Sequence, residues 1–280
     1  MKLHLSNDFV VSIINSIKIE FSSPDLHGAF QRRNDCIIEG GIVQGVGRGC
    51  AAPAGCDFPD KNLRLLGAMK ALGKPVITVV IAGRPYETCF LDQVSDALVY
   101  SFYPGLAGGE AIAKLLFGEI EPAGRLNASL PNEAHQLPCY YNHKDSYKPQ
   151  RYYDGTAKPK YGFGSGLSYT SFDFALVSAP TAENREVALT VTNTGARPGY
   201  AVPQLYLHRT QGAVTSRIRQ LCGFKKLYLQ PGESKTVTIA IPEDSLRQYD
   251  YAMKSVLLPG KIEWFLCDSG ETKLDGYFVL

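Results

Sequence analysis

PGLAGGEAIAKLLFGEIEPAGRL, residues 104 to 126, decides how the first half of the chain is read. Pro104-Gly105 is a turn signal. Between Gly109 and Phe117, the residues Ala111, Ile112, Leu115 and Leu116 fall on one apolar stripe of a helix, and Gly118 stands where a C-terminal cap belongs. The turn itself comes after residues 97 to 102, in which Leu98, Tyr100 and Phe102 alternate as a strand requires. Strand, turn and helix in that order form one unit of a layered α/β structure. The stripe reads as core rather than as a ligand surface.

Two further units lie on the N-terminal side. Residues 76 to 81 are a β-branched run closed by Gly83, and residues 35 to 38 are a short apolar run closed by Gly40-Gly41. Between these runs, Leu63, Leu65, Leu66, Met69, Ala71 and Leu72 recur near helical spacing, and Gly73 followed by Pro75 supplies a stop. The region up to about Tyr169 is therefore expected to be an α/β layered sandwich with a mostly parallel sheet. From Phe172 onward the period becomes two. Val187, Leu189 and Val191 lead to the turn Asn193-Thr194-Gly195, and the pattern returns at Leu205 and Leu207, at Leu227 and Leu229, at Val237, Ile239 and Ile241, and at Trp264 and Leu266. Short strands at this spacing predict an all-β sandwich. Residues 141 to 160, rich in Tyr, Lys, Asp and Pro, read as a surface connection.

Composition narrows the function classes. Hydrophobic residues make up 45% and charged residues 20% of the 280, the balance of a globular protein long enough for two cores. Net charge is +2, with no basic stripe that could release counterions from phosphates, so neither nucleic acid nor an anionic membrane is an expected partner. The longest uncharged apolar run, residues 75 to 83, is far below the roughly 18 residues of a membrane span. Seven scattered cysteines without a CxxC pair predict free thiols, no metal and no cofactor. With no convincing signal peptide in MKLHLSNDFVVSII, the expected location is the reducing cytoplasm.

The stretch at 104 to 126 resembles the second domain of family 3 glycoside hydrolases, the β-glucosidases and β-xylosidases. The resemblance continues in GKPVITVVIAGRP (73 to 85), HQLPCYYN (135 to 142) and YGFGSGLSYTSF (161 to 172). VTNTGARPGYAVPQLYL (191 to 207) and LCGFKKLYLQPGESKTV (221 to 237) resemble the family's fibronectin type III-like domain. On this basis residues 1 to 34 are an N-terminal remnant or a lead-in, 35 to 140 the family's C-terminal α/β domain, 141 to 171 a linker and 172 to 280 the fibronectin type III-like domain.

The resemblance implies a retaining mechanism on β-linked gluco- or xylo-oligosaccharides, with two carboxylates about 5 to 5.5 Å apart. In the family the nucleophilic Asp belongs to an N-terminal (β/α)₈ barrel of about 250 residues, and the segment preceding residue 35 is too short to hold it. The family's nucleophile usually precedes a Trp, whereas the single Trp here is Trp264. The acid/base Glu normally comes from the loop matching residues 40 to 60, GGIVQGVGRGCAAPAGCDFPD, which contains no Glu. Glu39 and Asp57 are the weak catalytic candidates. Glu39 also fits a strand-end charge, while Asp57 and Asp60 fit a turn and a helix N-cap. The chain alone is therefore expected to be inactive. It would need a separate barrel chain as partner, or self-association through the face a barrel would cover; the alternative is a non-catalytic scaffold or carbohydrate-binding module.

Other residues carry weaker signals. Arg84, in the turn after the strand at 76 to 81, stands where open α/β sheets place ligands and is a substrate-binding candidate, with a structural ion pair as its other reading. The run at 45 to 49, GVGRG, lacks the third glycine and the Lys-Ser/Thr of phosphate-binding loops. Tyr140, Tyr141, Tyr152, Tyr153 and Tyr161 could stack on sugars or pack a linker. His135 and His143 have no partner at a diagnostic spacing, and Ser165 reads as a turn residue rather than a nucleophile.

Overall fold

The computed structural model describes residues 60–133, 136–144, 158–212 and 214–280. The run at 35 to 38 and the loop at 40 to 59 lie outside them. The chain divides into two compact units, one comprising Met1–Ile120 with Pro131–Leu137, the other Glu121–Leu130 with Pro138–Leu280.

In the first unit, helix α1 (Asp60–Ala71) leads to strand β1 (Ile77–Val80), helix α2 (Cys89–Val94), strand β2 (Ala97–Tyr100) and helix α3 (Gly108–Leu116). The expected stops are in place: Gly73 after α1 and Gly118 after α3 have φ of 67° and 71°, a left-handed conformation that a side chain disfavours. β1 and β2 pair in parallel, Ile77 opposite Ala97 through Val80 opposite Tyr100. This is the one parallel pairing among the described residues; every other sheet pairing is antiparallel. Val80, Ala82, Tyr86 and Leu91 form the core here, with Leu63, Leu66, Leu98 and Tyr100 packed against it. The two apolar stripes are only partly enclosed. Leu63 and Leu66 pack inward while Leu72 is exposed, and on α3 Ile112, Leu115 and Leu116 are half-buried while Ala111 is exposed.

Asp96 ties the start of the sheet together. Its carboxylate accepts the Val76 amide at 2.8 Å and pairs with Lys70 of α1 at 3.0 Å. Burial pushes that carboxyl up, but the Val76 and Lys70 hydrogen bonds outweigh it and hold it below its ordinary value.

In the second unit, the strands are β3 (Phe172–Ser178), β4 (Glu186–Asn193), β5 (Gly199–Ala201), β6 (Gln204–Arg209), β7 (Gln220–Phe224), β8 (Leu227–Leu229), β9 (Ser234–Ala240), β10 (Gln248–Tyr249), β11 (Ser255–Val256), β12 (Lys261–Asp268) and β13 (Glu271–Val279). Their main sheets run β13-β12-β6-β7 and β3-β4-β9. Period-two burial is clear in β4, where Val187, Leu189 and Val191 are fully enclosed. They join Leu205, Leu207, Ile262, Trp264 and Leu266 of the other sheet in one cluster, the arrangement of a β-sandwich core.

The segment Glu121–Leu130 belongs to this second unit although it comes directly after the first. The Glu121 carboxylate accepts the Ser168 hydroxyl and, at 3.0 Å, the Tyr200 amide. Arg125 donates to Asp268 at 3.2 Å in a pair whose side chains are only 7% and 11% exposed. Leu130, 1% exposed, forms an antiparallel bridge with Tyr161.

Candidate functional site

Glu39, Asp57 and His135 lie outside the described residues. Arg84 stands at the carboxyl end of the parallel pair, where the two strand ends and the turns beyond them meet. Backbone hydrogen bonds set the frame. Ser101 N–H donates to Val80 O at 2.9 Å and Ala82 N–H to Phe102 O at 3.1 Å, which carries the pairing one step past each strand. The Tyr100 hydroxyl then donates to Arg84 O at 2.6 Å and accepts the Tyr86 amide at 3.1 Å. A single phenol on β2 thus fixes the backbone on both sides of Pro85. The Arg84 guanidinium is exposed and lies over the Tyr86 ring, 5.1 Å from its centroid, so this turn arginine is held by a cation–π contact. Among the described residues no carboxylate forms an ion pair with it.

The strand expected to reach Phe102 ends at Tyr100. Phe102 has φ of 49°, a conformation costing about 1 kcal/mol or more for a side-chain-bearing residue. Its ring packs at 4.9 Å from that of Tyr100. This reversal sends Tyr103 back over Gly83: a Cβ on Gly83 would fall 2.5 Å from the Tyr103 ring atoms Cε2 and Cζ. Tyr103 remains 72% exposed. Sequence alternation alone could not separate Phe102 from the strand, and only the subsequent Pro104-Gly105 hinted at the reversal.

The remaining candidates have other surroundings. Tyr141 stacks on Phe163 at 4.0 Å with both rings edge-on to Tyr206, an aromatic group inside the second unit. Burial pushes the Tyr206 phenol well above its ordinary range, and its hydroxyl donates to Gln204 at 2.6 Å. Tyr140 is exposed, and Tyr152 and Tyr153 lie outside the described residues. His143 is exposed and its Nδ1 is 2.8 Å from the Lys144 carbonyl. Ser165 N–H donates to Gly162 O at 3.1 Å, a turn. Among the described residues no three His, Cys, Asp or Glu side chains cluster as metal ligands, and no helix is long and apolar enough to cross a membrane.

Residues 10–169 match the glycosyl hydrolase family 3 C-terminal domain, and residues 201–269 match the fibronectin type III-like domain. The chain belongs to glycoside hydrolase family 3. A periplasmic β-glucosidase of Salmonella typhimurium is 34% identical over 98% of this chain, which spans 38% of that relative's length. A β-xylosidase of Formosa agariphila is 34% identical over 74% of this chain and 30% of its own. The crystal structure of a β-glucosidase from Listeria innocua in complex with glucose superposes with a TM-score of 0.77 at 31% identity, over 81% of this chain and 34% of that one. This family 3 chain thus spans about a third of the length of the relatives it matches.

Proposed function

We propose that this chain is the C-terminal portion of a retaining β-glycosidase of β-glucosidase or β-xylosidase type, inactive until a (β/α)₈ barrel joins it. The observation that carries the reading is the family match across most of the chain combined with relatives named for β-glucoside and β-xyloside hydrolysis. In the mechanism implied by the family, a barrel carboxylate attacks the anomeric carbon while an acid protonates the departing glycosidic oxygen. Water then displaces the enzyme carboxylate with the acid now acting as base. Removing the nucleophile removes the covalent route. On this reading residues 35 to 140 are the α/β domain, 141 to 171 the connection and 172 to 280 the fibronectin-like sandwich, and the β1–β2 pair is part of a larger parallel sheet.

The partner is a barrel chain or, failing that, a second copy. Light scattering of the purified chain, alone and mixed with a barrel-only relative, tests this: a one-to-one complex is the expected result, and two unmixed species would overturn it. Among the described residues Cys89, Cys222 and Cys267 are free thiols, which supports a reducing compartment such as the cytoplasm. Detection of the chain in an oxidising fraction of the cell would refute that location.

A second reading, a non-catalytic scaffold or carbohydrate-binding module, is favoured by one observation: the loop at 40 to 60 contains no Glu to serve as acid. Hydrolysis of aryl β-glycosides by the chain mixed with a barrel-only relative separates the two, since a scaffold would leave the mixture silent.

A further inference from the structure

We propose that Tyr103 and Arg84 form a saccharide-binding platform at the carboxyl end of the β1–β2 pair, one that works in this chain without any barrel. The ligand class, a β-linked gluco- or xylo-oligosaccharide, rests on the glycosidase reading; the platform itself rests on geometry. Tyr103 has one side of its ring against Gly83, where the missing side chain leaves the room, and it is 72% exposed. An aromatic ring seated on backbone and open to solvent can take the apolar C–H face of a pyranose whose hydroxyls are equatorial. Next in the chain after Gly83, the exposed Arg84 offers several N–H donors in a fixed fork to hydroxyls of such a ligand.

The backbone that carries both groups is held in place. The Tyr100 phenol bonds the backbone at Arg84 and Tyr86, and the Arg84 guanidinium rests over the Tyr86 ring. Phe102 is held in a left-handed conformation just before Tyr103, with its carbonyl accepting from Ala82. Backbone strain of this kind persists where surrounding structure enforces it, and it gathers at sites that bind.

Gly83 supplies an unusually clean test. No left-handed φ is required there, so an alanine fits the backbone, but its methyl would occupy the space of the Tyr103 ring. Calorimetric titration of the purified full chain with cellotetraose and xylotetraose should show binding, with maltotetraose as the α-linked control. Tyr103→Ala and Gly83→Ala should each weaken binding by about tenfold, Tyr103→Phe should keep most of it, and Arg84→Ala should weaken it too. Circular dichroism should be unchanged throughout. Wild-type affinity in Gly83→Ala and Tyr103→Ala would overturn the platform, as would a wild-type chain that ignores millimolar sugar. Either failure leaves the glycosidase reading standing if the chain still supports hydrolysis when mixed with a barrel. Loss of that hydrolysis with sugar binding intact would instead remove the glycosidase reading and keep the platform.

Discussion

Gly276 stands directly opposite Trp264 on the adjacent strand, and a Cβ there would lie 2.8 Å from the indole Cζ2. Trp264 is 1% exposed and has no space to yield, unlike Tyr103 over Gly83. Gly276→Ala should therefore destabilise the second unit by about 1 to 3 kcal/mol, read as a shift in urea midpoint. Arg125 and Asp268 make a second residue-scale prediction. Their side chains are nearly enclosed, so Asp268→Ala leaves a buried guanidinium without its counter-ion and should cost about 3 kcal/mol in the same titration. Asp96 supplies the pH dependence. Its carboxyl is held below the ordinary value, so the stability it contributes is complete above the aspartate range, about pH 4, and is lost as pH falls through its lowered folded value. Asp96→Asn should accordingly lower stability near neutrality, and the gap from wild type should close in acid; a gap that widens in acid would contradict the assignment.

At the scale of elements, the β-sandwich was legible because burial in β4 and β12 keeps the period of two that Val187, Leu189, Val191, Trp264 and Leu266 spell out. Strands β7 and β13 were not, since each carries several half-exposed or polar residues and takes its place from pairing with β6 and β12. The helix within the stretch 104 to 126, expected over 109 to 117 and found at Gly108–Leu116, could be read from its stripe and its Gly118 stop. The segment after that helix could not be placed: nothing in EPAGRLNASL announces that Glu121–Leu130 is part of the second unit, because the contacts that place it are to Ser168, Tyr200, Tyr161 and Asp268, far along the chain. A fragment beginning at residue 138 should consequently be much less cooperative in thermal unfolding than one beginning at residue 121. Equal melting of the two would show the segment to be dispensable. The same limit applied at the candidate site, where Arg84 could be named from its place after a strand while Tyr103 needed the reversal at Phe102 to be seen.

For the whole molecule, the decisive feature is what a family 3 chain of this length contains. It carries the family's α/β and fibronectin-like matches, spans about a third of its relatives, and lacks a Glu in the loop at 40 to 60. The central claim, that the chain completes a β-glycosidase only together with a barrel, is tested most directly by hydrolysis of aryl β-glucoside and aryl β-xyloside. The purified chain is assayed alone, and then mixed with a barrel-only relative that is itself inactive. Turnover only in the mixture is the predicted result; turnover by the chain alone, or silence in both, would contradict it.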